Sequence, residues 1–535
     1  MKVYRDLKMY ARFGRGLPGY LRQRLTLEEA ESIVRQRLAE RESNFLRVVE
    51  RGIFDHPSSP YLRLMKLSGC RLGDIREMVA GQGLEQTLDA LRQEGVYVTY
   101  EEFKGRIPVV RQGREIPIES HEFDNPFASY HYYSSTSGTS GAGTRVGIDL
   151  DYLASRAPQN LLFEHVHDFY GAPQVYYFGA LPDHGLNSLL TRSRFGSIPQ
   201  RWFTPVRDGE GRAPMEHRIA NAVLPRLARL AGIPAPLPEP LPLSETHVIA
   251  RWMVETLAAE GRCVVRTSTS RAVRICLAAK ERSWRLDGAI ITIGGEAPTP
   301  AKTKIIRDTG AKPLTGYHMT EIGPIGFACA NPTDENDVHF LKDHLAVIQT
   351  PRQVPGFDVE VQAFLFTTLL PTAPKLLLNY EGDDYGLLEK RQCGCLWESY
   401  GLTEHMRGIR SYRKLTGEGM TFVGSDMERI LDEVLPGRFG GSPLDYQMAE
   451  EEDEQGLTRL TVIVDPRVAI DDEQAVIDTV LEAVGRLQGF HGMAAGIWRQ
   501  AETIRVRRES PRVSGAGKLI PLQLPEGHAR SEKTT

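Results

Sequence analysis

The chain is 535 residues long, with 65 basic against 69 acidic side chains and a formal net charge of −4. That is too long for one core and too evenly charged for a broad nucleic-acid surface. Hydrophobic residues at 41% and charged residues at 25% are an ordinary globular balance, and no apolar run approaches the length of a membrane span. The N-terminal "MKVYRDLKMYARFGRG" lacks an apolar signal core, and 6 cysteines make no disulfide framework, so a cytoplasmic, reducing setting is expected.

In chain order, "TLEEAESIVRQRLAERESNFLRVVE" (26–50) predicts a helix. Thr26 and Glu29 fit a capping box, and Ile33, Leu38, Phe45, Val48 and Val49 can share one face. A second helix is expected over 84–93, followed by "VYVTYEEF", so that residues 1–125 form a helical N-terminal layer. From 126 onward the short apolar runs "QVYYFGAL", "CVVRTST", "AIITIGG" and "VIQTP" alternate with helical patterns. Such alternation predicts an α/β fold with a mostly parallel sheet and ligand loops at the strand ends.

The tail has its own alternation. "MTFVGSDMERILDEVL" reads as a strand or loop entering a helix, "TRLTVIVDP" as a strand, and "DEQAVIDTVLEAVGRL" as a helix with Ala475, Val476, Val480, Leu481 and Val484 at helical spacing. A large domain is therefore expected over 1–409 and a small α+β domain over 410–535.

Between the layer and the sheet lies "YYSSTSGTSGAGTRVGI" (132–148). Its centre, Thr136, Ser137, Gly138, Thr139, Ser140 and Gly141, has no side chain able to build a core. It is either a plain linker or a loop whose glycines, hydroxyls and backbone N–H groups wrap phosphate oxygens. It lacks the Gly-Lys-Ser/Thr ending of the Walker type. Further motifs follow: "GGE" at 294–296, "GYHMTEIGP" at 316–324, "NYEGDDYG" at 379–386, the segment beginning "RSYRKLTGEG" at 410, and "SGAGKLI" ending at 520.

In this order and at these separations, the motifs resemble the adenylate-forming superfamily of acyl–AMP ligases, and most closely its phenylacetate–CoA ligase and acyl-protein synthetase branch. The resemblance covers roughly residues 60–520. It implies a large adenylation domain, a small mobile C-terminal domain, and activation of a carboxylic acid by ATP and Mg²⁺. It further implies release of pyrophosphate and transfer of the acyl group to a thiol on CoA or an acyl carrier protein. An amine acceptor, an unusual oxyacid substrate and a non-catalytic nucleotide-binding subunit are the competing readings.

The resemblance also assigns roles. Thr136 to Gly141 would close over the ATP phosphates, with Arg145 in place of the family's loop lysine. Gly294, Gly295 and Glu296 would form the adenine wall; the alternative is a strand-end turn. Tyr317, with His318 and Met319, would flank the adenine, Thr320 would touch the α-phosphate, and Glu321 would hold Mg²⁺; the alternative for Glu321 is a helix-start carboxylate. Asp384 is preferred over Asp383 for the ribose hydroxyls, against a solvated acidic turn. Arg410 precedes the hinge, where Arg413 replaces the family's usual residue, and Gly419 and Glu428 keep the register. Lys518 would stabilise the charge that builds up during adenylation.

Cys393 and Cys395 in "RQCGCLW", with Cys329 and His339, make four donors suited to a structural zinc of the kind some members of the branch carry, with His344 as a substitute for His339. Unpaired thiols are the alternative. His184, Ser268 and the Phe163–Tyr170 region are candidates for lining the acyl pocket, and His184 equally fits a turn.

Overall fold

The computed structural model describes residues 2–135, 145–178, 184–205, 226–230, 232–234, 236–353, 360–411, 414–417, 420–423, 427, 429–486, 491–512 and 522–523. The capping box forms as expected: Thr26 caps helix Leu27–Ala39 and Glu29 reaches back to its N–H. The single helix predicted over 26–50 breaks at Glu40 into Leu27–Ala39 and Arg41–Val49, then widens over Glu50–Phe54. In its first part the buried positions are Ala30 and Val34 rather than Ile33 and Leu38. The expected helix at 84–93 is Leu84–Gln93.

A sheet of 13 strands organises the large domain. Six are parallel: Pro238–Pro240, Arg201–Thr204, Gln174–Tyr177, Cys263–Ser268, Ala289–Gly294 and Lys312–Met319, in that spatial order. The runs expected as strands here all are strands. The parallel expectation holds for this half; in the other only the short Val98–Thr99 pairs parallel, with Tyr380–Glu381. Beyond Met319 the chain returns through connections too short for crossover helices, so Gly323–Ala328, Val338–Phe340, Glu404–Ser411, Tyr380–Lys390, Glu360–Thr368 and Leu345–Gln353 pair antiparallel.

The N-terminal layer is stitched into this second half. Val98 and Thr99 pair with Tyr380 and Glu381, and Phe45, Met65, Leu88 and Phe103 share one core with Phe364, Phe366 and Tyr380. Each such burial is worth roughly 1.5–3 kcal/mol, which fixes the layer against the strand that carries "NYEGDDYG".

The small domain has a sheet ordered Ile504–Arg508, Thr458–Val464, Tyr446–Glu452, Leu522–Gln523, with helices Glu473–Arg486 and His491–Gln500. Val476, Val480, Leu481 and Val484 are buried as expected, whereas Ala475 stays partly exposed. Its hairpin rests on helix Pro300–Asp308 of the large domain, and the residue after helix His491–Gln500 meets helix Thr269–Glu281. There Lys302 Nζ donates to Thr458 Oγ1 at 2.6 Å, and Arg274 Nη2 to the Ala501 carbonyl at 3.1 Å.

Candidate functional site

The hairpin Lys312–Met319/Gly323–Ala328 carries "GYHMTEIGP" at the junction of the parallel and antiparallel halves, and its register slips between Tyr317 and His318. A bulge of this kind re-aims the side chains beside it. Gly323 has φ +98°, and a Cβ there would come 2.3 Å from Tyr152 Oη, so the turn needs glycine. Thr320 and Glu321 lie in that turn and not at a helix start, which removes the helix-dipole alternative for Glu321.

Two distant motifs meet here. Tyr317 Oη donates to Asp384 Oδ2 at 2.8 Å. Met319 lies on Gly382, where an added Cβ would meet its Cε at 2.7 Å. Burial, then the neighbouring Asp384 charge and the hydrogen bond to it, push the Tyr317 hydroxyl well above its ordinary pKa, so it remains a donor. Asp384 pairs in register with Ser411, and Tyr385 with Arg410, so Arg410 is the cross-strand neighbour of Tyr385 and not of Asp384. Asp383 differs sharply from its neighbour: it has φ +63° and is 1% exposed. His318 stands over Gly316, with its ring 5.5 Å from Phe327.

Glu321 is buried and bonded to Lys104 Nζ at 2.8 Å. Lys104 belongs to the N-terminal layer, 217 residues away, and no sequence spacing marks it. A carboxylate already seated against a cation in this turn fits a Mg²⁺ ligand in kind.

Gly294 ends its strand opposite Ser268, and Gly295 turns with φ +78°. The Glu296 carboxylate faces inward: Ser270 Oγ and its backbone N–H both donate to it, and Lys302 Nζ is 3.8 Å away. Its side chain thus fastens the turn to the start of the next helix, leaving the backbone of Gly294 to Glu296 as the part able to form a wall.

Ser268 is buried, and its hydroxyl has no hydrogen-bond partner among the described residues. The helix His184–Ser193 starts at His184, whose side chain lies outside the described residues. Phe163 and Phe169 are packed into a core. Phe163 stacks on Phe327 at 4.7 Å, packs edge-on against Phe169, and belongs to the core beneath the cysteines.

Thr136 to Gly141, Arg413, Gly419, Glu428 and Lys518, with the Arg145 side chain, lie outside the described residues. The strands flanking the first stretch, Tyr132–Ser135 and Arg145–Ile148, pair antiparallel from Tyr132↔Ile148 to Ser135↔Arg145, so the stretch joins a hairpin and is not an interdomain linker.

The cysteines form a second constellation. His339 Nδ1 donates to the Leu402 carbonyl at 2.8 Å, leaving Nε2 facing Cys395 Sγ at 3.2 Å and Cys393 Sγ at 3.5 Å. The donor atoms of Cys329, His339, Cys393 and His405 all lie within 4.8 Å of one another. His405, which no spacing indicated, pairs with His339 across two strands; its Nδ1 bonds Asp337 Oδ1 at 2.8 Å. That carboxylate-backed arrangement leaves Nε2 as the atom able to ligate a metal. His344 is engaged elsewhere, on the Pro324 carbonyl. The Cys-Gly-Cys turn is tied by the Glu398 carboxylate, which accepts from the Cys393 and Gly394 N–H groups.

The Cys329 thiol, then His339, pull Cys395 below the ordinary thiol range, while burial pushes Cys393 above it. Soft sulfur and imidazole donors this close fit zinc in type, and the five on hand are one more than a tetrahedral ion takes.

A wide mixed sheet with a small α+β domain set on its helices is the two-domain fold of the adenylate-forming enzymes. Among solved structures the chain is similar to a 2-hydroxyisobutyryl-CoA ligase in complex with 2-HIB-AMP and CoA in the thioesterification state. The TM-score is 0.54 at 15% identity, covering 96% of this chain and 90% of that one. An o-succinylbenzoate CoA synthetase from Bacillus subtilis aligns more loosely (TM-score 0.40, 12% identity, 82% and 80% covered). No family model matches the sequence, and no curated protein does.

Proposed function

We propose that the chain is an ATP- and Mg²⁺-dependent acid–AMP ligase. A carboxylate oxygen of the acid attacks the α-phosphorus, and the bond to pyrophosphate breaks. A thiol on CoA or an acyl carrier protein then attacks the acyl carbon, and AMP leaves. The observation that carries this reading is the meeting of Tyr317 and Asp384, from two separate motifs, beside the hairpin turn that holds Glu321.

In this reading Tyr317 flanks the adenine and Asp384 takes the ribose hydroxyls. Thr320 meets the α-phosphate, while Glu321 holds Mg²⁺, which supplies charge neutralisation on the phosphates. The stretch Thr136 to Gly141, with Arg145, closes over the phosphates. The Lys518 ammonium steadies negative charge building on the bridging oxygens. The Cys329–His339–Cys393–Cys395 set, with His405 at its side, holds a structural zinc, and this cluster supports placement in the phenylacetate–CoA ligase and acyl-protein synthetase branch. Six free cysteines suit a cytoplasmic setting. Among the described residues no helix is long and apolar enough to cross a membrane.

The test is pyrophosphate release with ATP and Mg²⁺ across aryl, fatty, amino and small polar acids, with mass detection of the acyl adenylate. One productive acid, together with at least a hundredfold loss in Lys518→Ala while ATP still binds, is the expected result. ATP binding with no turnover on any acid would move the assignment to a non-catalytic nucleotide-binding subunit.

A further inference from the structure

The sequence lacks the family's loop lysine, yet the structure supplies a fixed ammonium elsewhere. Lys104 leaves the C-terminal end of the short helix Tyr100–Phe103, whose own start is fixed by the Thr99–Glu102 capping box. Thr99 pairs with Glu381, so the lysine is anchored to the strand that bears Asp384. Its Nζ sits 5.1 Å from the Tyr100 ring centroid, 5.5 Å from that of Phe103 and 2.8 Å from Glu321 Oε1. The lysine and glutamate side chains are 6% and 7% exposed.

We infer that Lys104 is the resident counter-cation of Glu321, holding the carboxylate in the hairpin turn and yielding it when a divalent cation is bound with nucleotide. The inference rests on the adenylation reading for the role of Glu321. The physical argument is one of competition. A buried carboxylate left without a cation is strongly destabilising, so the turn needs a positive charge in the metal-free chain. An ammonium and a divalent ion cannot both hold one carboxylate oxygen closely, so Lys104 lowers the apparent metal affinity while keeping the turn in shape. Released from Glu321, its flexible stem leaves the ammonium beside the phosphate-facing turn, where a fixed cation has use. Lys104 is thus a positioning residue.

The experiment measures Mn²⁺ binding to the full chain by water-proton relaxation, with and without saturating ATP, in wild type, Lys104→Met and Lys104→Arg. In Lys104→Met the competitor is gone, and Mn²⁺ binding should tighten at least about tenfold. Lys104→Met should also lose thermal stability without metal and regain it with Mn²⁺. In Lys104→Arg a guanidinium can grip the carboxylate through two donors, so Mn²⁺ binding should weaken several-fold. The arginine variant keeps the charge and decides the matter even where the methionine variant does not fold. In the double variant Lys104→Met/Glu321→Gln the tightening should disappear.

A chain that binds ATP yet shows one Mn²⁺ affinity in all variants overturns the inference and leaves the adenylation reading standing. A chain that binds neither ATP nor Mn²⁺ overturns both.

Discussion

Asp383 and Asp384 are neighbours in sequence with different surroundings. Asp383 sits in a left-handed backbone conformation inside the protein, while Asp384 is half-buried and accepts the Tyr317 hydroxyl. A residue that must accept two ribose hydroxyls needs an accessible carboxylate, and that favours Asp384. Asp384→Asn should raise the KM for ATP by roughly 10–100-fold, the size of one or two charge-assisted hydrogen bonds, with the unfolding midpoint little changed. Asp383→Asn tolerates the same dihedrals and should lower the midpoint while leaving that KM near wild type. Steady-state kinetics and thermal unfolding on both variants separate the roles, and the reverse pattern would reassign them. The sequence could rank these two aspartates by motif register, but the positive φ that separates them is set by a bulge against the next strand. Lys104 was hidden for a simpler reason: its partner is 217 residues away.

Among elements, what was legible is what local chemistry decides. The Thr26–Glu29 box, the strands Cys263–Ser268 and Ala289–Gly294, and the helix Glu473–Arg486 all follow from capping, β-branched runs and helical spacing. The antiparallel half was not legible, because strand direction depends on how far the chain travels between strands, and periodicity does not record that. His405 shares this cause: it meets His339 only through strand pairing. The cysteine–histidine cluster joins four such places: Cys329 just after Gly323–Ala328, Val338–Phe340, Glu404–Ser411 and the Cys-Gly-Cys turn. Three thiols and two imidazoles in contact repel or compete for protons unless a cation gathers them. The purified chain should therefore carry one zinc by elemental analysis. A strong chelator should lower its unfolding midpoint by roughly 5–10 °C. Metal-free protein whose midpoint the chelator does not move would show that the thiols are packing alone.

For the whole molecule, the question is what holds the small domain where it lies. Apolar contact continues across the boundary, and Gly456 fits so closely against Ile305 that a Cβ would come 2.8 Å from its Cδ1. The directional part is polar: Lys302 is 3% exposed and spans Glu296 of the "GGE" turn and Thr458 of the small domain's hairpin. In the adenylation reading the small domain changes position, and this polar contact is one its partners can give up because they regain water when they part. The contact also ties the domain's placement to the strand-end turn assigned to the adenine wall. Thr458→Val keeps the volume but removes the acceptor, leaving the Lys302 ammonium short of one hydrogen bond only in this placement. The cost, about 1–3 kcal/mol, should bias the domain away from it by roughly tenfold or more. Whichever half-reaction uses this placement should slow by that factor, with the other unchanged or faster. Pyrophosphate exchange reads the first half-reaction, and single-turnover transfer from preformed acyl adenylate to the thiol reads the second. Equal slowing of both, or of neither, would mean that Lys302 and Thr458 only pack the boundary and do not govern which placement the domain takes.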